Sequence, residues 1–166
     1  MNSVPFQEET FRVLAEFPFD STRKCMSVLL QDEYTQRFYL YTKGADNVML
    51  DKFTFAAGSS LKTQIIGDLY SYSCQGFRTL VIGMKEISAG DYARFEKLHT
   101  SLQSSTSDFK DRHLTQLYQK MEQNILYLGS TAIEDKLQDG VPETIANILA
   151  AEIRFWVLTG DKLVSL

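Results

Sequence analysis

The sequence predicts an α/β protein of the α+β type, in which a mostly antiparallel sheet with helices is followed by a partial parallel βαβ segment. Two observations predict this fold. In the first third of the chain, short apolar and aromatic stretches are separated by polar turn residues, as in antiparallel hairpins. In the C-terminal part the pattern becomes strand, helix, strand, which is typical of a parallel crossover.

The first half of the chain contains most of the predicted strands. Strands are predicted at residues 10–17, 25–30, 37–42 and 77–85. The polar residues 31–33 suit a hairpin turn, so the second and third strands are expected to pair antiparallel. A short helix is predicted at residues 45–53. A second begins after Ser59 and Ser60, which offer an N-cap, and ends at Gly76.

The second half begins with helices. Residues 91–99 are expected to be helical, and the polar residues 100–107 to form a linker. The clearest helix follows, because apolar residues recur on one side at helical spacing: Leu114, Leu117, Tyr118, Met121 and Ile125. Glu122 is assigned to its polar side. Residues 125–133 are then predicted as a strand, Pro142 as the start of a helix that reaches residue 151, and residues 153–158 as a buried strand.

Composition limits the class of protein. With 166 residues, 44% of them hydrophobic, the chain can bury roughly 70% of its unfolded surface, so a true core is expected. A net charge of −4 argues against a nucleic-acid binder, and no apolar run approaches the ~20 residues of a membrane helix. The polar, acidic N-terminus is unlike a signal peptide. Cys25 and Cys74 have no partner pattern and are predicted to be reduced, buried thiols of an intracellular protein.

Two motifs in the first half could bind a base or an anion. Phe19 stands close to the adjacent cations Arg23 and Lys24, and an exposed aromatic ring beside cations can stack a base and neutralise phosphate. The alternative is a strand end with a solvated basic tip. Lys43 precedes Gly44 at a strand-to-helix junction, where the backbone can approach an anion. The alternative there is an ordinary turn with a surface lysine.

Two further motifs carry Arg78 and a polar strand end. Arg78 follows a glycine at a strand start, which is a weak signal by itself. Thr159, Gly160 and Asp161 end the last predicted strand, and Asp135 ends the strand before it. The carboxyl edge of a parallel sheet commonly binds ligands, although Thr159 or Asp161 could equally cap a helix. His99 and His113 lack the context of a catalytic triad, and no zinc spacing, P-loop or dinucleotide fingerprint occurs.

These motifs, in this order, resemble the cytoplasmic part of P-type ATPases, and most closely the phospholipid-transporting flippases. The motifs that carry the resemblance are Phe-Asp-Ser-Thr-Arg-Lys-Cys-Met-Ser-Val at 19–28, Lys-Gly-Ala-Asp at 43–46, Gly-Phe-Arg-Thr-Leu at 76–80, the stretch 128–145 and Trp-Val-Leu-Thr-Gly-Asp-Lys at 156–162. The resemblance covers nearly the whole chain. It implies the later part of a nucleotide-binding domain at residues 1–124 and part of a haloacid-dehalogenase-like phosphorylation domain at residues 125–166.

The resemblance also implies roles for single residues. Phe19 would stack on adenine, while Lys43, and with less weight Lys24, would line the same pocket. Arg78 would meet the phosphate chain of ATP. Asp135, Thr159, Gly160 and Asp161 would belong to the phosphorylation domain and face the nucleotide. Mg²⁺ would arrive with ATP, and its protein ligands would lie outside this chain.

For the complete protein, the resemblance implies a pump at the cytoplasmic face of a membrane. It would couple ATP hydrolysis, through an aspartyl-phosphate, to phospholipid movement between leaflets, with the remaining pump domains and an accessory membrane subunit as partners. The Asp-Lys-Thr-Gly-Thr block of the family is absent here, so this chain is expected to be an inactive fragment. Two alternatives are a stand-alone, non-catalytic nucleotide-binding or regulatory protein and a small haloacid-dehalogenase-like phosphatase, which would need its missing nucleophilic aspartate.

Overall fold

The computed structural model describes residues 9–106, 109–134 and 136–158. The strands in these residues are β1 (Phe11–Asp20), β2 (Cys25–Asp32), β3 (Phe38–Gly44), β4 (Arg78–Ile87) and β5 (Leu126–Ile133). The helices are α1 (Asp46–Lys52), α2 (Leu61–Cys74), α3 (Ala89–Gln103), α4 (Lys110–Met121) and α5 (Val141–Ala150).

The strands form a single antiparallel sheet in the order β1-β2-β3-β4-β5, so each strand pairs with its neighbours in the chain. The β2–β3 hairpin is closed by Asp32, whose Oδ1 accepts hydrogen bonds from the backbone N–H of Tyr34 at 2.8 Å and of Thr35 at 3.0 Å. An aspartate that bonds the backbone two and three residues on is a common device for turning the chain.

Alternation along the strands separates a helix-covered face of the sheet from a more exposed one. On β2, Cys25, Ser27 and Leu29 are buried, while the residues between them are half-buried. Two apolar clusters fill the covered face. The first packs β1, β2 and β3 against α3 and α4 through residues that include Phe17, Leu40, Phe95 and Tyr118. The second packs β2 and β4 against α1 and α2 through residues that include Met49, Ile65, Leu69 and Val81.

The α+β fold and its antiparallel sheet confirm the main prediction, and most predicted elements lie within a few residues of the observed ones. One helix is longer than predicted. Helix α3 continues through residues 100–103, which were assigned to a linker, because its Ser88 cap and the buried Phe95 anchor a continuous helix.

The predicted parallel segment is not observed. The strand after α4 is β5, and it pairs antiparallel with β4 in the main sheet. Residues 153–158 were expected to form a buried strand, but they have no strand structure and are exposed, with Trp156 78% accessible. An apolar run forms a strand only where a partner strand completes its hydrogen bonds, and no described strand lies alongside this one. The polar motif beyond it falls on residues 159–161, outside the described residues.

Three single-residue expectations are also corrected. Cys74 is exposed near the end of α2, whereas Cys25 is buried as predicted. Ile125 is not on α4, which ends at Met121, but forms an isolated bridge to Phe53. Glu122, assigned to the polar side of the helix, has a fully buried side chain. In the part of the chain that is described, no helix has both the length and the apolar character needed to cross a membrane.

Candidate functional site

A cavity of about 420 Å³ opens on the exposed face of the sheet, at the end where β1 turns into β2 and β3 runs into α1. Its lining combines an aromatic ring, aliphatic side chains and two lysines. The lining residues are Phe19, Ser21, Lys24, Met26, Lys43, Gly44, Ala45 and Leu80. An apolar pocket with a few convergent polar groups is the usual form of a small-molecule site.

The end of β1 carries Phe19 into this cavity, and the turn between β1 and β2 carries Ser21 and Lys24 into it. Oδ1 of Asp20 accepts hydrogen bonds from the backbone N–H of Thr22 at 2.6 Å and of Arg23 at 3.2 Å. These two bonds stabilise the carboxylate and lower the pKa of Asp20 below its ordinary value. Lys24 completes the turn with a φ of +50°, a left-handed conformation that is uncommon outside glycine.

The turn is fixed against the start of α1 by a close backbone contact. The carbonyl oxygen of Lys24 accepts a hydrogen bond from the N–H of Ala45 at 3.0 Å. A Cβ atom on Gly44 would lie 2.6 Å from the Cβ of Cys25 and 2.7 Å from that carbonyl oxygen. The glycine is therefore required for the two chain segments to meet, and their contact sets the shape of the cavity.

The floor of the cavity is made by the sheet itself. Met26 on β2 lies opposite Lys43 on β3, and Lys43 lies opposite Ile82 on β4. Leu80, two residues before Ile82, is on the same face of β4 and lines the cavity. Lys24 and Lys43 are both exposed at its rim, and Phe19 is 66% accessible. The cavity thus offers an apolar surface with two cations beside it.

A buried charge cluster lies behind the turn. The guanidinium of Arg23, only 3% accessible as a residue, donates hydrogen bonds to the carboxylate of Glu122 and to the carbonyl oxygen of Pro18. Lys52 on α1 contacts the same carboxylate, with its Nζ 3.3 Å from Oε2. Arg23 is therefore not the solvated cation that its place beside Lys24 indicated.

No group of three or more metal-ligating side chains occurs within residues 9–106, 109–134 and 136–158. The cavity itself is lined by apolar side chains together with Lys24 and Lys43. The family model for the cytoplasmic domain N of P-type ATPases matches residues 3–140.

The chain belongs to the P-type ATPases.

Relatives narrow the subfamily of this P-type ATPase domain. Phospholipid-transporting ATPase 10 of Arabidopsis thaliana is 38% identical over 94% of the chain, and human phospholipid-transporting ATPase ID is 40% identical over 92%. Mouse phospholipid-transporting ATPase IK is 41% identical over 94% of the chain. The chain spans 11–13% of the length of these relatives.

Three of the residues predicted to bind ATP, namely Phe19, Lys24 and Lys43, line one cavity of this P-type ATPase domain. Arg78 does not line it, but begins β4 on the same face as Leu80. Asp135, Thr159, Gly160 and Asp161 lie outside the described residues.

Sequence reasoning did not select the other members of the site. Ser21, Met26, Gly44, Ala45 and Leu80 all stand inside or beside the motifs that carried the resemblance, so the motif boundaries were a usable signal for them. Glu122 stands in none of these motifs. Its spacing of four residues from Tyr118 was the one local hint of burial, whereas no local pattern indicated the cations that compensate its charge.

Proposed function

We propose that the cavity binds ATP and that, in the complete protein, this domain supplies the nucleotide for ATP-driven phospholipid transport. The observation that carries the proposal is the meeting of Phe19, Lys24 and Lys43 in one pocket beside apolar residues. Nothing in the comparisons favours the alternative of a stand-alone regulatory domain, since the relatives bear the names of transporters.

The adenine would occupy the apolar part of the cavity. A largely exposed ring such as Phe19 presents a face on which a base can stack, and such stacking is worth about 1–3 kcal/mol per base. Met26 and Leu80 provide further apolar contact. The volume of about 420 Å³ lies within the usual range of roughly 300–1,000 Å³ for small-molecule pockets.

The lysines would attract the phosphates. Lys24 and Lys43 line the same cavity from neighbouring chain segments, so an anion bound there would lie near two positive charges. Arg78 would meet the phosphate chain from the start of β4. The roles of Asp135, Thr159, Gly160 and Asp161 in facing the nucleotide rest on the resemblance alone. Mg²⁺ would enter as the ATP complex, held through the phosphate oxygens.

The activity proposed for the complete protein is phospholipid movement between membrane leaflets at the expense of ATP. Phosphoryl transfer of this kind depends mainly on positioning and on neutralising charge, and a domain that holds the nucleotide contributes the positioning. We further propose a location at the cytoplasmic face of a membrane, together with the remaining domains of the pump and an accessory membrane subunit.

Titration of the 166-residue chain with ATP, followed by calorimetry, tests the nucleotide site. A Kd near 1 mM corresponds to only about −4 kcal/mol, so ATP must be supplied at several millimolar. We expect Lys43→Gln to weaken binding. The matched control is Lys97→Gln, which makes the same charge change at an exposed position on α3 that does not line the cavity. Equal losses in the two variants would contradict a specific site.

Two competitors identify which part of ATP is recognised. Adenosine binding reduced by Phe19→Ala would support stacking of the base, and inorganic tripolyphosphate should bind more weakly than ATP. Binding of tripolyphosphate as tight as that of ATP would reduce the site to a phosphate-binding patch.

We also expect no acid-stable, hydroxylamine-sensitive phosphoenzyme from this chain, because its 166 residues include no Asp-Lys-Thr-Gly-Thr block.

A further inference from the structure

The carboxylate of Glu122 is the centre of a buried polar group, here named the Glu122 cluster, that consists of Arg23, Cys25, Ser27, Lys52 and Glu122. The side chain of Glu122 is 0% accessible. Its Oε1 accepts hydrogen bonds from the Ser27 hydroxyl at 2.7 Å and from Arg23, while Oε2 lies 3.3 Å from both Lys52 Nζ and Cys25 Sγ. The cluster thus gathers two cations around one carboxylate.

Arg23 connects this cluster to the cavity. One of its terminal nitrogens donates to Glu122, and the other donates to the carbonyl oxygen of Pro18. Pro18 immediately precedes Phe19, and Arg23 immediately precedes Lys24. The guanidinium of Arg23 therefore fixes the positions next to two of the cavity-lining residues, Phe19 and Lys24. Among the described residues its Nε has no hydrogen-bond partner, so the two hydrogen bonds and the contact with the Tyr118 ring hold the group.

Lys52 connects the same carboxylate to the other wall of the cavity. It is the last residue of α1, the helix that begins just after Gly44 and Ala45. Its Nζ lies 3.3 Å from the carboxylate of Glu122 and 3.4 Å from the main-chain oxygen of that residue. Glu122 therefore contacts the turn that carries Lys24 and the helix that follows Gly44 and Ala45, although it lines no part of the cavity.

Removing the charge of Glu122 would leave two buried cations without their counter-charge. A buried, unpaired charge is strongly unfavourable, so the structure relaxes where it can admit water most easily. The turn at residues 20–24 is partly exposed, whereas Lys52 is anchored on a helix. Movement of Arg23 towards solvent would displace Phe19 and Lys24 with it.

We propose that Glu122 is a positioning residue for the nucleotide, which acts through Arg23 to hold Phe19 and Lys24 at the cavity. This inference rests on the proposed function, because it takes the cavity to be the ATP site. It assigns a role in binding to a side chain that lies 99 positions from Arg23 in the sequence.

The test compares ATP affinity in variants of the 166-residue chain, each first checked for cooperative unfolding. We expect Glu122→Gln, which keeps the shape and removes the charge, to raise the Kd for ATP by about three- to tenfold. Arg23→Lys keeps the charge, but a single ammonium cannot reproduce the two-sided contact of the guanidinium, so a similar rise is expected. The control is Ile87→Val, a core truncation at the opposite end of β4 from the cavity, which should leave the Kd unchanged.

A double-mutant cycle shows whether Glu122 acts through Arg23. In the Arg23→Gln background, a further Glu122→Gln change should alter the Kd for ATP by less than about twofold, because the connection is already broken. If Glu122→Gln raises the Kd for ATP by the same factor with and without Arg23→Gln, Glu122 does not act through Arg23, and the proposal is overturned. If the substitutions weakened ATP binding only by destabilising the fold, the Kd would rise in every destabilised variant, and Ile87→Val would then weaken binding as well.

The remaining outcomes separate the two proposals. If the unsubstituted chain binds ATP and a folded Glu122→Gln or Arg23→Lys variant binds equally well, the positioning role is overturned and the proposed function stands. Should Glu122→Gln fail to fold, Arg23→Lys decides the question. If the unsubstituted, folded chain binds no ATP, the proposed function fails and the inference with it.

Discussion

The rings of Phe17 and Tyr118 stack face to face, with centroids 4.1 Å apart and planes inclined by 15°. The contact joins β1 to α4, and Phe95 of α3 adds a third ring at 5.4 Å from Phe17. The guanidinium of Arg23 lies 5.3 Å from the centre of the Tyr118 ring. Phe19, two residues after Phe17, is by contrast largely exposed in the cavity. Two neighbouring phenylalanines therefore have separate tasks, one in the core and one at the candidate site.

Alanine substitutions at these two positions should separate stability from binding. Phe17→Ala removes a fully buried ring and should lower the free energy of unfolding by about 3–5 kcal/mol. Phe19→Ala should change it by less than about 0.5 kcal/mol, because the ring is already exposed, yet should weaken ATP binding. Urea denaturation measures the first effect and calorimetry the second. A large loss of stability in Phe19→Ala would contradict this division.

Glycines on neighbouring strands should respond differently to a methyl group. A Cβ on Gly83 would lie 2.5 Å from side-chain atoms of Ile125 and Phe53 and 2.8 Å from the carbonyl oxygen of Leu126. Gly83→Ala should therefore lower the free energy of unfolding by about 1–3 kcal/mol. Within the part of the chain that is described, no atom lies within 4 Å of such a Cβ on Gly129 of β5, so Gly129→Ala serves as the control and should cost nothing. Equal losses in the two variants, measured by thermal unfolding, would show that the contacts at Gly83 are unimportant.

His99 should make the stability depend on pH. Burial lowers the pKa of His99 below its ordinary value of 6.5, and the ring stacks on Phe95 with centroids 5.0 Å apart. Below pH 6.5 the unfolded chain binds the proton more readily than the folded chain does. The free energy of unfolding should thus be greatest above this pH and fall as the pH decreases through 6.5 towards the lower folded-state pKa.

Denaturant unfolding between neutral and mildly acidic pH measures this dependence. His99→Gln should abolish this fall in the free energy of unfolding at acidic pH, while His113→Gln, at an exposed position on α4, should preserve it. An unchanged pH dependence in His99→Gln would assign the effect to other groups.

The two thiols should differ in reactivity. Burial is the main cause that raises the pKa of Cys25 to about 11, and the nearby Glu122 carboxylate raises it further. Because the thiolate is the reactive form, Cys25 should react with a thiol reagent only after unfolding, whereas the exposed Cys74 should react in the folded chain. The expected result is one fast equivalent, which Cys74→Ser removes. Two fast equivalents in the folded chain would contradict the burial of Cys25.

Local patterns were sufficient for most of the elements, since the strands and helices depend on alternation, caps and stops that neighbouring residues supply. Asp32 in the turn and Ser88 at the start of α3 act within three residues of their positions. Pairing between distant strands is different. The residues of β5 are equally suited to a parallel or an antiparallel neighbour, and only the position of β4 decides between them. In the same way, the apolar sequence of residues 153–158 predicts a strand, but it cannot indicate whether a partner strand is present. None of the described strands pairs with this segment.

The candidate site was predictable to the same extent. Phe19, Lys24 and Lys43 lie on two adjacent hairpin segments, so the motifs that carry them also bring them together. Glu122 was missed because a carboxylate just beyond a polar helix is ordinarily solvated, and its burial depends on Arg23 and Lys52. Charge compensation across 99 and 70 positions of sequence is invisible to any local pattern.

The order in which the chain folds follows from these same distances. The β2–β3 hairpin joins nearby residues, such as Met26 and Lys43, and closing a short loop costs little entropy. The contacts of Glu122 span 70 to 99 positions, so we expect them to form after the hairpins. In pulse-labelled hydrogen exchange, the amides of β2 and β3 should gain protection before those of Thr54 and Ile125, which bond across the junction next to Glu122. The candidate site would then acquire its outline early and its rigidity in the final step of folding.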